Sequence, residues 1–338
     1  MNVSNLRQKL LISVVLGIIV FGALVVYGDI RSVRASLADF RWELMPLVLL
    51  IAAGNYVLRW VKWHYYLRRI GETSVPRLDS FLIFMSGLGM VVTPAKVGEW
   101  LKCYLLKDKY GTPVMRSTPI LFAERLTDAL ALMLLALVGV VAFERSVWPL
   151  VAVVILGSAI VIAVSRHRPA WRRMVDLARR LPLVGRLSPR IDEMAESNYQ
   201  LMDPWGVVLM TGLSVVAWGT QVVAFYLVLA GLGVDAGGDT FMKASFILPI
   251  STLGAGILLL PGGLGVAETG IASLTESLLE TSRGVASTAT LLIRVSTLWF
   301  AVVLGLVAFF VVMRREPVGE PEDEIAESRL VTASDPIA

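Results

Sequence analysis

Three ionisable residues stand together in the apolar stretch ILFAERLTDALALMLLALVGVV: Glu124, Arg125 and Asp128. Glu124 and Asp128 are four apart and so share one helix face, with Arg125 beside them. A carboxylate cannot snorkel to an interface as a long cation does, so this set predicts a buried ionic cluster. A second cation, Arg294, lies about ten residues into the apolar run GVASTATLLIRVSTLW, which leaves it an anion or Glu268 as partner. In NYVLRWVKWHYYLRR, Asn55, Arg59 and Lys62 form one stripe at helical spacing. An Arg fork and a Lys point charge on one face suit a phosphate, although the same stripe also fits a cytoplasmic helix end. Lys96 lies inside TPAKVGE, placed to meet a headgroup.

The elements that must hold these groups are membrane helices. The chain is 56% hydrophobic and 17% charged, where soluble domains carry about 25% charged residues. Mean hydropathy is +0.71. Six stretches are long enough to cross hydrocarbon: 10–27, 45–67, 117–142, 147–165, 204–231 and 285–312. Two more apolar regions, 78–106 and 242–280, are interrupted by TPAKVGE and PGGLGVAE. Each reads as a re-entrant hairpin or as two short tilted spans. Basic residues at 68–77, at 102–116, in 166–200 and at 314–315 then fall on the side of Arg7 and Lys9. The chain is therefore expected to be multi-pass in the cell (inner, cytoplasmic) membrane with both termini cytoplasmic. The predicted organisation is a first membrane half over 1–165, a basic amphipathic cytoplasmic linker over 166–203, a second half over 204–316 and a disordered acidic tail over 317–338.

The interruptions carry the mechanism. Pro94 and Pro261 break the helical ladder, and Gly98, Gly262, Gly263 and Gly265 permit turns closed to other residues. Freed amides cannot face lipid, so they must meet protein, water or a ligand. Either a phosphate or Glu99 and Glu268 can satisfy them. Glu99 to Arg125 and Glu268 to Arg294 are both 26 residues apart. Equal spacing and opposed sidedness make the two regions an inverted repeat, an arrangement common in transporters. The predicted fold is all-α, with about six full spans plus two oppositely oriented re-entrant or broken hairpins.

Several classes are excluded or not encoded. The mild net charge of +4, clustered at span ends, does not suggest nucleic acid. With one cysteine and two histidines there is no disulfide and no Cys/His metal cluster, and no cofactor is expected. No Walker A, G-x-G-x-x-G, H-E-x-x-H or G-x-S-x-G pattern occurs.

TPAKVGEWLKCYLL, ERLTD, PGGLGVAE and LLIRVSTLW together resemble the lysylphosphatidylglycerol synthase transmembrane (flippase-like) family, over roughly residues 10–315. The resemblance implies that a modified phospholipid or polyprenyl-linked lipid is moved between leaflets. It places the family pattern on Pro94, Gly98, Glu99, Glu124, Arg125, Asp128, Pro261, Gly262, Gly263, Gly265, Glu268 and Arg294. Lys96 stands where the family's form has Arg, which keeps the charge and loses the bidentate fork. No room is left for the family's soluble synthase domain, so transport without synthesis is expected, with a membrane lipid as substrate and a separate lipid-modifying enzyme as partner. A homodimer stays open, as do a membrane enzyme or accessory protein acting on a lipid-phosphate glycolipid and a non-catalytic scaffold.

Overall fold

A computed structural model describes residue 15 and residues 17–93, 97–140, 156, 196–257 and 261–315. Within them the chain is helical: α1 Gly17–Tyr27, α2 Ile30–Asp39, α3 Met45–Arg69, α4 Arg77–Gly89, α5 Val97–Tyr110, α6 Val114–Val140, α7 Pro204–Gly231, α8 Gly238–Ile257, α9 Val266–Leu278, α10 Arg283–Arg294 and α11 Phe300–Arg314. A π turn, Val295–Trp299, joins α10 to α11. The span expected at 147–165 apart from residue 156, most of the 166–203 linker, the acidic tail, Pro94 and Lys96 lie outside the described residues.

Helix boundaries follow local chemistry. Asp203 caps α7, its carboxylate accepting from the Gly206 amide at 3.1 Å, and Pro204 occupies the first turn where its missing N–H costs nothing. Ser282 caps α10 through the Val285 amide.

Among the described residues, three helical stretches are long and apolar enough to span a bilayer: Trp42–Arg69, Pro204–Gly231 and Arg283–Arg314. Their exposed faces are apolar stripes. Leu47, Leu50, Val57 and Val61 run along α3, and Val303, Val307 and Phe310 along α11. Water would not tolerate such stripes and lipid requires them. The chain is thus an all-α, multi-pass membrane protein. Helix α6, at 27 residues, is comparably long but carries the ionic cluster in its middle.

Both interrupted regions are helix–break–helix pairs, α4–α5 and α8–α9. Their packing is reciprocal: α4 lies along α11 of the second half, and α8 lies along α6 of the first. The α4–α11 crossing is close because it is made on glycine. A Cβ at Gly305 would sit 2.2 Å from the Gly89 nitrogen and 2.4 Å from the Met85 carbonyl oxygen. Gly305→Val should therefore force the helices apart and cost about 1–3 kcal/mol or more. Thermal unfolding in detergent checks this, with Gly54→Ala, where a Cβ meets nothing within 4 Å, as the silent control.

Candidate functional site

The second break is built from three left-handed glycines, Gly262, Gly263 and Gly265, with φ of 58°, 70° and 88°. A side chain there would be strained, so the run is glycine by necessity. The turn delivers the chain into α9, whose first amides need partners. Glu268 supplies one: its Oε2 accepts from the Gly265 amide at 2.7 Å. Its Oε1 accepts from Arg294 Nε at 2.5 Å, and Arg294 Nη2 also donates to the Gly262 carbonyl at 2.7 Å. Glu268 is fully buried. Of the partners the sequence left open, the structure gives Arg294 the carboxylate and a backbone carbonyl, and it satisfies the α9 terminus with that same carboxylate.

The first break unwinds through short turns at the end of α4, with Thr93 Oγ1 accepting from the Gly98 amide at 2.8 Å. A threonine does here what Glu268 does in the second break. Glu99 is thereby free to face Arg125, whose Nε lies 3.4 Å from its Oε2. Both pairs spaced 26 residues apart are therefore in contact. The breaks also touch one another: the Gly262 amide donates to the Val91 carbonyl at 3.1 Å. Val92, Leu264, Leu298 and Val302 pack as a small apolar cluster around that junction.

The α6 cluster is larger than the sequence indicated. Asp128 receives Lys62 of α3 at hydrogen-bond distance, with Arg59 Nη2 at 3.5 Å and Arg125 Nη2 at 3.9 Å. Lys62 also donates to Ser214 Oγ of α7 at 2.7 Å and Thr127 Oγ1 at 3.2 Å. The stripe continues to Asn55, which donates to the Ala217 carbonyl and accepts from Gln221 Nε2 at 3.3 Å. Of the two readings open for Lys62, a phosphate-facing stripe or a plain helix end, burial disfavours the second: it is 2% exposed. Lys102, taken from sequence as one of the flanking charges that orient the chain, is likewise buried. It donates to Glu124 Oε2 at 2.6 Å and lies 4.3 Å over the Trp63 ring. The signal was present, since Glu99 and Lys102 are three apart and share one face of α5.

A cavity of about 430 Å³ opens between these elements. Arg59, Glu99, Arg125, Asp128 and Arg294 line it together with Gly262 and Gly263, while Lys62, Lys102, Glu124 and Glu268 stand behind. The rest of the wall is mostly apolar, with Trp218 and Gln221 among the exceptions. The ion pairs sort by position. Lys102–Glu124, behind the cavity, and Arg294–Glu268, which reaches back from its wall, are at 2.5–2.6 Å. Those of Arg59 and Arg125 are at 3.4–3.9 Å, beyond the usual charge-assisted hydrogen bond. Arg125 Nε has no hydrogen-bond partner, and the Arg125 side chain is the most open of the cluster at 39%. Two guanidiniums are therefore incompletely matched, whereas Arg294 is committed to bracing the turn. No metal-holding group of His, Cys, Asp and Glu occurs among the described residues.

Fold and site define a class: a polytopic helical membrane protein with fixed charge around a cavity where two broken helices meet. The sequence pattern of the lysylphosphatidylglycerol synthase TM region matches residues 10–305, and the chain belongs to that family. It is also similar, at 24% identity over 299 residues, to a protein described as Glycosyltransferase AglD from Haloferax volcanii. The match covers 78% of this chain and 48% of that protein, so the chain spans about half the length of this curated relative.

Proposed function

We propose that the protein is a lipid flippase or translocase, in which a phosphate-bearing headgroup enters the cavity while its acyl or prenyl chains stay in lipid. The observation that carries this reading is the cavity itself, walled mostly by apolar side chains and lined by Arg59 and Arg125, whose ion pairs are long. A buried guanidinium with spare donors suits a phosphate oxygen, and forks suit it better than point charges. The equal 26-residue spacing and the reciprocal packing of α4 on α11 and α8 on α6 support two related halves of opposite orientation. In this reading region 78–106 enters from the cytoplasm, region 242–280 from outside, and both termini are cytoplasmic. A separate lipid-modifying enzyme supplies the substrate. The expected result in reconstituted vesicles is protein-dependent movement of a labelled phospholipid between leaflets, strongly reduced by Arg59→Gln. Vesicles in which a panel of phospholipids and polyprenyl phosphates all stay put would overturn it.

The name of the Haloferax relative, a glycosyltransferase, favours one second reading, an enzyme or accessory acting on a lipid-phosphate sugar. It predicts a change of lipid mass on incubation, whereas transport leaves every lipid's mass unchanged; mass spectrometry separates them.

A further inference from the structure

The span formed by α10 and α11 is irregular where it passes the cavity. Between Val295 and Trp299 it makes a π turn, in which the Phe300 amide reaches the Val295 carbonyl five residues back. Single π turns inside α-helices occur often at functional sites. Here the opened ladder is filled from another helix. The Tyr56 hydroxyl of α3 donates to the Thr297 carbonyl at 2.6 Å, and the Ala301 amide hydrogen-bonds the same phenol oxygen. Thr297 and Ala301 are four apart, so they are the pair that an uninterrupted α-helix would join directly. The ladder is loosened further by Ser296 and Thr297, whose hydroxyls donate to the Leu292 and Ile293 carbonyls. Tyr56, Thr297 and Ala301 all line the cavity. The packing of the Tyr56 ring, 6.1 Å from that of Phe300, does not need the oxygen.

We propose that Tyr56 is a further headgroup contact: it turns its hydroxyl from the Thr297 carbonyl to a phosphate oxygen held by Arg59, and so lets Thr297 and Ala301 pair with each other. The inference rests on the cavity being the headgroup site. Arg59 is three residues on from Tyr56, on the same face of α3, and close enough for its charge to act on the phenol. A phosphate gripped by that guanidinium therefore arrives beside the hydroxyl.

The exchange is favourable for three reasons. A tyrosine hydroxyl has one proton and serves one acceptor at a time, so carbonyl and phosphate compete for it. A hydrogen bond to an anionic oxygen is roughly twice as strong as one to a neutral carbonyl, so the phosphate wins. The two backbone groups released from Tyr56 are each other's ordinary α-helical partners, so neither is stranded in the membrane. The phenol stays neutral throughout, and no proton enters or leaves the site. Occupancy of the cavity is thereby felt in the helix itself. The π turn begins directly after Arg294, which holds the Gly262 carbonyl of the second break. A headgroup on α3 thus acts on the segment that braces the opposite half.

The test is titration of the full chain in detergent with dioctanoyl phosphatidylglycerol and with geranyl phosphate, beside dioctanoylglycerol, which has acyl chains and no phosphate. Tyr56→Phe keeps the ring and removes the hydroxyl. It should bind the phosphate lipids roughly tenfold more weakly than wild type, the difference between a charge-assisted and a neutral hydrogen bond. It should treat dioctanoylglycerol as wild type does. In protein carrying 3-fluorotyrosine at position 56, the fluorine resonance should move on adding a phosphate lipid and stay in place with dioctanoylglycerol. Phosphate-lipid affinity equal to wild type in Tyr56→Phe overturns the inference and leaves the headgroup site standing. Equal weakening toward all three lipids makes the hydroxyl a support of the cavity wall alone, and also overturns it. So does a fluorine resonance unmoved by a phosphate lipid that binds. Wild-type protein that binds neither phosphate lipid defeats the site reading, and the inference with it.

Discussion

Glu268→Ala is expected to destabilise the protein by about 3–5 kcal/mol, the usual cost of removing one partner of a buried ion pair. The reasons are specific. The carboxylate is fully buried and divides its oxygens between Arg294 and the Gly265 amide. Its loss leaves a guanidinium 13% exposed without a counter-charge, and an α9 terminus without its cap. The three left-handed glycines would then have little to hold the turn. Glu268→Gln keeps an acceptor for Gly265 and should cost less. The double variant Glu268→Ala/Arg294→Met should be no worse than Glu268→Ala alone, because the stranded charge goes with its partner. Denaturation followed in detergent decides this. Independent, additive losses would show that the pair is not a unit, and an unchanged unfolding midpoint in Glu268→Ala would show that the turn stands without it.

That brace was legible in the sequence to an unusual degree, and for a physical reason. Ionisable residues in apolar runs have few places to go, so Arg294 had to find an anion or Glu268. The shared 26-residue spacing was the mark of two helix–break–helix–helix units in which the same pair closes twice. The glycine run was legible because left-handed backbone leaves a compositional trace. What the sequence could not separate was which charges face the cavity. Arg294 could have been a phosphate contact or the partner of Glu268; in three dimensions it lines the cavity but is held by a carbonyl and that carboxylate. Lys102 looked peripheral, and Lys62 fitted a helix end as well as a phosphate contact, because basic residues near helix ends usually snorkel. Their burial depends on α5 and α7 closing over α6, which are non-local contacts invisible to periodicity. The first break also differs from the second in a way letters concealed: Thr93, not Glu99, serves the α5 terminus, and so Glu99 is left to hold Arg125.

Arg125→Gln should abolish high-affinity headgroup binding while leaving the fold nearly intact. The side chain is 39% exposed to the cavity and its pairs with Glu99 and Asp128 are loose, so little folding energy depends on it. A hydrogen bond to a charged group contributes about 1.5–3 kcal/mol, so one lost guanidinium–phosphate contact weakens binding by roughly 10- to 150-fold. Two contacts through a fork would take the loss further. Arg125→Lys keeps the charge but not the fork, and should fall between the two, nearer to Gln if both forks of Arg125 and Arg59 grip one phosphate. The contrast with Glu268→Ala is the informative part. One variant should lose stability, with binding following only as the fold fails; the other should lose binding with an unfolding midpoint close to wild type. Lipid titration beside thermal unfolding on the same preparations reads both. If Arg125→Gln binds as wild type does, the loosely paired guanidinium is a structural remnant of the α6 ion cluster, and the headgroup site must be sought away from this cavity.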